Sequence, residues 1–334
     1  MMHDVAVTRL LQKAIDARES LFDARHETAF RLFNGFTEGN PFLSLDLFAG
    51  TVIFHNYNPE VSAGMDIVNE ARAWLQNHPR FSGWLHAGIV KSRHSKLQEE
   101  RRGKLLFGQT IDRKINENHV WYAVDLTMNR DMSFYPDTRF LRQWLIENMR
   151  GKRVLNTFAY TGSLGVAALA GGAEQVVQLD RSRQFLNIAK DSYMLNAFPI
   201  HTNDFMVEDF FPAVSKLKRS GTNFDCVILD PPFFSSTSKG KIDQVNESKR
   251  LINKVRPFIE NGGYLIAINN ALFISGKDYM QTLEELCADG YLKIEQLIPI
   301  PQDFVGYNTF DAPIIDPSPF NHSTKIVILK VRRK

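Results

Sequence analysis

The sequence predicts an α/β chain, with a Rossmann-like, doubly wound domain in its C-terminal part preceded by a smaller α+β domain. Three observations predict it. The 334 residues exceed what one hydrophobic core usually serves, so two domains are expected, divided as 1–125 and 126–334. From about residue 139, short apolar runs alternate with helical patterns, which implies a parallel sheet covered by helices on both faces. Polar or acidic residues close successive runs at Asn156, Asp180, Asp209, Asp230 and Asn269. Ligands of such sheets bind beyond those carboxyl ends.

In the smaller domain, residues 8–36 show helical alternation through Leu10, Leu11, Ile15, Leu21, Phe22, Ala29, Phe30 and Leu32. After the break Gly39-Asn40-Pro41, strands are expected at 43–47 and 51–55, with Ala49-Gly50 as the hairpin turn between them. A helix over 63–77 closes before Pro79, and further strands fall at 88–90 and 119–126. In the larger domain a helix over 139–150 leads to strands at 154–156, 176–180, 205–207, 226–230 and 264–268. Helices near 183–197, 211–219, 244–260 and 277–289 separate them or follow, and strands at 292–299 and 325–331 finish the chain.

Composition bounds the function classes. No run approaches the roughly 20 apolar residues of a membrane span, and the start, Met1 to Arg9, has no apolar leader core. Two cysteines, Cys226 and Cys287, predict no disulfide framework and fit a reducing cytoplasm. The histidines and cysteines lack metal-ligand spacing, so no metal is expected. A net charge of +3 permits nucleic-acid binding without demanding it.

After the first strand of the larger domain comes Asn156-Thr157-Phe158-Ala159-Tyr160-Thr161-Gly162-Ser163-Leu164-Gly165. Its small residues allow a tight turn and a close approach of a ligand to a helix N-terminus. The next strand ends in Asp180, eighteen residues after Gly162, where doubly wound nucleotide folds hold a ribose diol. A dinucleotide site would present three glycines to pyrophosphate; here Phe158 and Tyr160 intervene, which suits a cofactor without phosphates. At the third strand's end, Asp209 is placed to accept a hydrogen bond from an adenine amino group, with Phe210 packing on the ring. The fourth strand ends in Asp230-Pro231-Pro232-Phe233-Phe234. Two prolines fix a rigid turn, so that Asp230 and the prolyl carbonyls face a planar acceptor on which Phe233 or Phe234 stacks. The following Ser235 to Lys241 is a small, polar, basic loop, read either as a phosphate contact or as a surface lid.

Taken together, Phe158 to Ser163, Asp180-Arg181-Ser182, Asn196, Asp209 and Asp230-Pro231-Pro232-Phe233 resemble the class I methyltransferases that modify bases of large-subunit (23S) ribosomal RNA. Tyr135-Pro136-Asp137-Thr138-Arg139 is similar to the family's Leu-Asp-x-Arg segment, and Arg31 to Gly35 through Leu45-Asp46 resembles its small middle domain. The resemblance implies S-adenosylmethionine as cofactor and ribosomal RNA as partner. It places Asp137, Arg139, Asn156, Phe158 to Ser163, Asp180, Arg181, Ser182, Asn196, Asp209, Phe210 and Asp230 on the cofactor side. It leaves homodimerisation open.

Two branches of that family differ in chemistry. Cytosine C5 is a poor nucleophile until a thiolate adds to the ring. The family's C5 enzymes carry that cysteine after the fifth strand, where this sequence has Ile268-Asn269-Asn270. Guanine N7 already offers a lone pair and needs only positioning; Asn269-Asn270 and Gln302-Asp303-Phe304 are similar to the guanine-N7 branch. Methylation of a base nitrogen, guanine N7 first, is therefore expected. A cytosine-C5 enzyme, a small-molecule or protein methyltransferase, and a non-catalytic RNA-binding homologue are the alternatives. The Pro-rich stretch 313–324, with Asn321 and His322, matches neither branch and is a candidate lining of the acceptor pocket. Lys91, Arg93, Lys96, Arg101, Arg102 and Lys104 read either as a solvated face or as an RNA phosphate track.

Overall fold

The computed structural model describes residues 6–237, 240–307 and 313–333; the chain start at 1–5, and Ser238 and Lys239 of the polar loop, lie outside them. Two compact units form, one from residues 6–137 with 301–307, the other from residues 138–300 with 313–333.

In the first unit, α1 (Val7–Ala17) is followed by β1 (Ala29–Asn34), α2 (Gly35–Glu38), β2 (Leu43–Phe48), β3 (Thr51–Asn56), α3 (Val61–Asn77), β4 (Ala87–Ser92), α4 (Gln98–Arg102) and β5 (Lys104–Phe107). The five strands make one sheet in chain order, and β6 (Lys114–Glu117) pairs with β7 (Val120–Ala123) as a separate hairpin. Strict alternation in β2 sends Leu43, Leu45 and Leu47 to one face, where they join Leu10, Leu11, Val68, Ala71 and Leu75 of α1 and α3 in a core. The opposite face is polar yet buried. Arg31 grips the two Asp46 oxygens at 2.9 and 3.2 Å, and His55 Nε2 lies 2.9 Å from Asp46 Oδ2. Burial alone would raise the Asp46 carboxyl, but Arg31 and His55 hold it well below the usual range.

Two expectations need correction here. Residues 29–34 form the strand β1, not the end of a helix begun at residue 8; a register shift between Arg31 and Phe33 breaks the period-two pattern. The six basic residues from Lys91 to Lys104 do not share a solvated face either. Lys91 is wholly buried, with Nζ donating to the Asn129 carbonyl at 2.8 Å, and Arg93 pairs with Asp131 at 2.8 Å. Lys104 is bridged to Glu99 and Glu100.

Residues 301–307, including α11 (Gln302–Val305), join this unit by bonding through their backbone to its buried Arg18–Glu38 ion pair. Arg18 donates to Glu38 Oε1 at 2.9 Å and to the Asp303 carbonyl at 3.1 Å, while Glu38 also accepts the backbone N–H groups of Asn34 and Tyr307 at 2.8 and 3.0 Å. Removing one partner strands the other charge in the interior. Glu38→Ala is therefore expected to cost about 3–5 kcal/mol in urea unfolding of the full chain; a loss below about 1 kcal/mol, the ceiling typical of an exposed pair, would contradict it.

The second unit runs α5 (Arg139–Asn148), β8 (Arg153–Thr157), α6 (Ser163–Ala170), β9 (Gln175–Asp180), α7 (Arg183–Leu195), β10 (Phe205–Val207), α8 (Phe210–Ser220), β11 (Phe224–Leu229), β12 (Phe234–Thr237), β13 (Gly240–Asp243), α9 (Gln244–Val255), β14 (Ile259–Asn269), α10 (Gly276–Cys287), β15 (Leu292–Ile298) and β16 (Lys325–Val331). The sheet order is β10-β9-β8-β11-β14-β16-β15. The five strands from β10 to β14 are parallel, but β16 runs antiparallel to both β14 and β15, so the sheet is mixed rather than wholly parallel. Strands covered on both faces read as unbroken apolar runs, as Val227-Ile228-Leu229 does. Leu155, Val227, Leu229 and Leu265 of the strands pack with Leu217, Leu251 and Leu283 of α8, α9 and α10. No helix among the described residues is long and apolar enough to cross a membrane.

Candidate cofactor and acceptor site

The loop between β8 and α6 is bent by three left-handed residues, Phe158 (φ 53°), Tyr160 (φ 51°) and Gly162 (φ 77°). For phenylalanine and tyrosine such backbone costs about 1–3 kcal/mol each, so the surroundings must impose it. Asp180, at the end of β9, does much of this. Its Oδ2 accepts the Tyr160 N–H at 2.9 Å and its Oδ1 accepts the Ser182 N–H at 2.8 Å, while the Ala159 N–H donates to the Leu179 carbonyl at 2.9 Å. Burial raises the Asp180 carboxyl above its usual range, against the pull of those two N–H groups. Each carboxylate oxygen has a further lone pair, enough for one hydroxyl apiece. Helix α6 opens at Gly162 with no side-chain cap, so first-turn N–H groups remain for a ligand.

A residue that sequence reasoning missed supports this loop from below. Gln178 of β9 is wholly buried; it accepts from Asn156 Nδ2 at 2.8 Å and donates to the Gly162 carbonyl at 3.2 Å. A β-carbon on Gly165 would lie 2.2 Å from Gln178 Nε2, and one on Gly162 would lie 2.6 Å from the Ala189 β-carbon. Glycine at 165 is what lets α6 approach β9, and glycine at 162 lets the loop approach α7. Gln178 left no signal beyond being a polar residue inside an apolar strand.

The structure brings together only part of the predicted set. Ala159, Tyr160, Thr161, Gly162 and Ser163 line the loop and the start of α6, next to Asp180 and Ser182, the latter capping α7 through the Phe185 N–H at 3.3 Å. Asn156, expected at the cofactor, is instead buried beneath the β8–α6 loop with Gln178. Phe210, expected on an adenine ring, is in the core with Phe158 stacked on it at 4.6 Å; the half-buried Phe158 is the outer ring of that pair. Asp209 caps α8, accepting the Phe211 N–H at 3.3 Å. Arg181 is exposed. Asn196 is set apart, at the C-terminal end of the 13-residue α7, about 20 Å along the axis from Ser182. Arg139 opens α5, and Asp137 belongs to the first unit.

On the acceptor side, Asp230 follows β11 directly, Pro231 is buried, and Pro232 and Phe233 are exposed. The Thr157 hydroxyl donates to the Ile228 carbonyl at 2.7 Å, tying the ends of β8 and β11 together. The expected loop after Phe233 is a hairpin, β12 paired with β13, because extended residues pair their backbone groups locally. The stretch 313–324 is anchored by Asn321, which bonds both backbone groups of Ile300 at 2.9 and 2.8 Å, and by the Asp316 carbonyl, which accepts the N–H of Gly276 at the start of α10. His322 Nδ1 accepts the Thr324 N–H at 3.0 Å. Neither cysteine stands at a strand end: Cys226 is wholly buried inside β11, where burial pushes its thiol far up, and Cys287 ends α10 with its thiol also raised by burial. Among the described residues no group of three or more His, Cys, Asp or Glu is placed to hold a metal.

These residues fit a cofactor with a ribose diol and no phosphate. Residues 156–165 contain no cationic side chain, while Asp180 presents paired acceptors beside an open helix start.

Comparison with known proteins points the same way. The sequence profile of the S-adenosylmethionine-dependent methyltransferases matches residues 70–304. Ribosomal RNA large subunit methyltransferase I of Aeromonas hydrophila is 28% identical over 287 residues, covering 85% of this chain and 70% of that protein. YwbD of Bacillus subtilis, provisionally named a ribosomal RNA large subunit methyltransferase, is 26% identical over 332 residues, covering 96% of this chain and 79% of its own. A provisionally assigned methyltransferase solved with SAH superposes with a TM-score of 0.83 at 24% identity, covering 97% of this chain and 80% of that one, a likeness of fold.

Proposed function

The chain belongs to the S-adenosylmethionine-dependent methyltransferase family, an enzyme family with S-adenosylmethionine as cofactor, and from that premise we propose that its acceptor is a base nitrogen of ribosomal RNA, guanine N7 first. The observation that carries the acceptor class is the Asp230-Pro231-Pro232-Phe233 turn at the end of β11, a carboxylate and an exposed ring with no thiol at any neighbouring strand end. The names of the Aeromonas and Bacillus relatives support ribosomal RNA.

When bound, S-adenosylmethionine supplies an electrophilic methyl group on a sulfonium. The chain's own task is positioning. Asp180 accepts the ribose hydroxyls, and the α6 N-terminus and the Phe158–Ser163 loop set the cofactor's depth. Asp209 faces the adenine edge, and Arg139 at the start of α5 completes that side. Asp230 and the Pro231 and Pro232 carbonyls hold the base edge while Phe233 stacks on its face. A guanine N7 lone pair needs no proton removed, so a site without a general base suffices. The first unit serves as the recognition module, with its exposed Lys96 and Arg102 on phosphates.

Methyl-labelled S-adenosylmethionine is to be incubated with the protein and RNA from cells that lack it, followed by nucleoside mass spectrometry. Label in 7-methylguanosine, abolished by ribonuclease, is the expected result. Label in 5-methylcytidine would overturn the nitrogen acceptor; label that survives ribonuclease would overturn RNA.

A further inference from the structure

The chemistry above uses the ends of β8, β9, β10 and β11. The turn after β14 and a buried lysine beside it remain unused. The exposed phenylalanines of the second unit, among its described residues, are Phe140, Phe233, Phe234 and Phe273, at 38%, 45%, 57% and 68% exposure. All four lie at one edge. Phe233 and Phe234 leave the carboxyl end of β11 and Phe273 leaves that of β14. Phe140 opens α5, whose far end leads to Gly151, bonded through its N–H to the Gly172 carbonyl just past α6 at 2.8 Å. That fixes the end of α5 at the amino edge and Phe140 at the carboxyl edge. Exposed phenylalanine rings gathered on a ligand-binding edge mark a contact surface; the other large ring exposed among this unit's described residues, Tyr291 at 42%, stands apart before β15. Leu272, 60% exposed, adjoins Phe273.

This turn is held firmly from beneath. Asn269, in register with Lys325, accepts the Ala271 N–H at 3.0 Å and donates to the Ser248 hydroxyl at 3.2 Å. Lys325, wholly buried, donates from Nζ to the carbonyls of Ala271 at 3.0 Å and Ser323 at 2.6 Å, and among the described residues no acidic side chain pairs with it. A buried ammonium without a counter-ion is costly, and burial pulls this one down to about 8. What its donors secure is the path of the 271–274 turn and of the segment entering β16.

We propose that the 271–274 turn is a stacking platform for an unpaired base flanking the methylation target, with Phe273 and Leu272 as its contact residues and Lys325 as the positioning residue beneath; this rests on RNA being the substrate. β11 and β14 are adjacent strands, about 5 Å apart, so a single strand threading past the Asp230 turn brings a neighbouring base over Phe273. Stacking on an exposed ring is how unpaired bases are held without reading their edges.

The test uses the full chain and a single-stranded RNA oligonucleotide taken from a transcript that the wild type methylates, with 2-aminopurine next to the modified base. The wild type should quench the 2-aminopurine on binding. Phe273→Ala should lose the quenching and raise the KM for this RNA roughly 5- to 100-fold, with kcat and S-adenosylmethionine affinity within about twofold. Lys325→Met should lose quenching likewise while keeping the cofactor affinity, and Met194→Ala, exposed at the far end of α7, should change neither. Unchanged quenching and KM in Phe273→Ala, beside an active wild type, overturns the platform alone. A wild type that transfers no methyl group to any RNA overturns the RNA reading, and the platform with it.

Discussion

Asp180→Ala is expected to weaken S-adenosylmethionine binding at least about 100-fold in isothermal titration calorimetry. Hydrogen bonds to a charged group contribute about 1.5–3 kcal/mol each, and the carboxylate is assigned two ribose hydroxyls. The same substitution releases the Tyr160 and Ser182 N–H groups that Asp180 holds, so the strained Phe158–Gly162 path loses its anchor as well. Asp180→Asn separates the two effects, since an amide oxygen still accepts from one N–H but carries no charge. Because burial raises this carboxyl above its usual range, wild-type affinity should fall on acidification at a higher pH than an ordinary aspartate would give: protonation removes the charge and turns one of the two acceptor oxygens into a donor. Affinity of the alanine variant within about threefold of wild type, under half the worth of one such bond, would sink the assignment.

Asp230→Ala is expected to slow methyl transfer to RNA by roughly 10²–10³-fold in single-turnover assays, the range seen when one group aligned for the transition state is removed. Cofactor affinity should change far less, because the diol acceptor and the α6 start are untouched. A transfer rate near wild type would mean that the Asp-Pro-Pro turn is merely a strand end.

The central strands β8, β9, β11 and β14 were legible because burial on both faces leaves no alternation to misread, and because Asp180 and Asp230 break the apolar runs of β9 and β11 at their ends. Direction was not legible: β16 reads as apolar whether it runs with β14 or against it. The bulge between Arg31 and Phe33 hid β1, since it places Phe30, Leu32 and Phe33 all in the interior. In the site, position along the chain located loops but not side-chain aim. Asn156 and Phe210 sit at the predicted strand and helix ends yet turn inward, one to Gln178 and one to Phe158. Gln178 matters only through partners 13 to 22 residues away, a relation with no local signature. The membership of residues 301–307 in the first unit depends on Arg18, 285 residues from Asp303, and sequence order gives no hint of it.

The most direct test of the account is a crystal structure of the full chain with S-adenosylhomocysteine. Both ribose hydroxyls are expected within hydrogen-bonding distance of the Asp180 carboxylate, with the cofactor against the Phe158–Ser163 loop and its sulfur directed to the Asp230-Pro231-Pro232 turn. A cofactor seated elsewhere, or a ribose with no contact to Asp180, would contradict it.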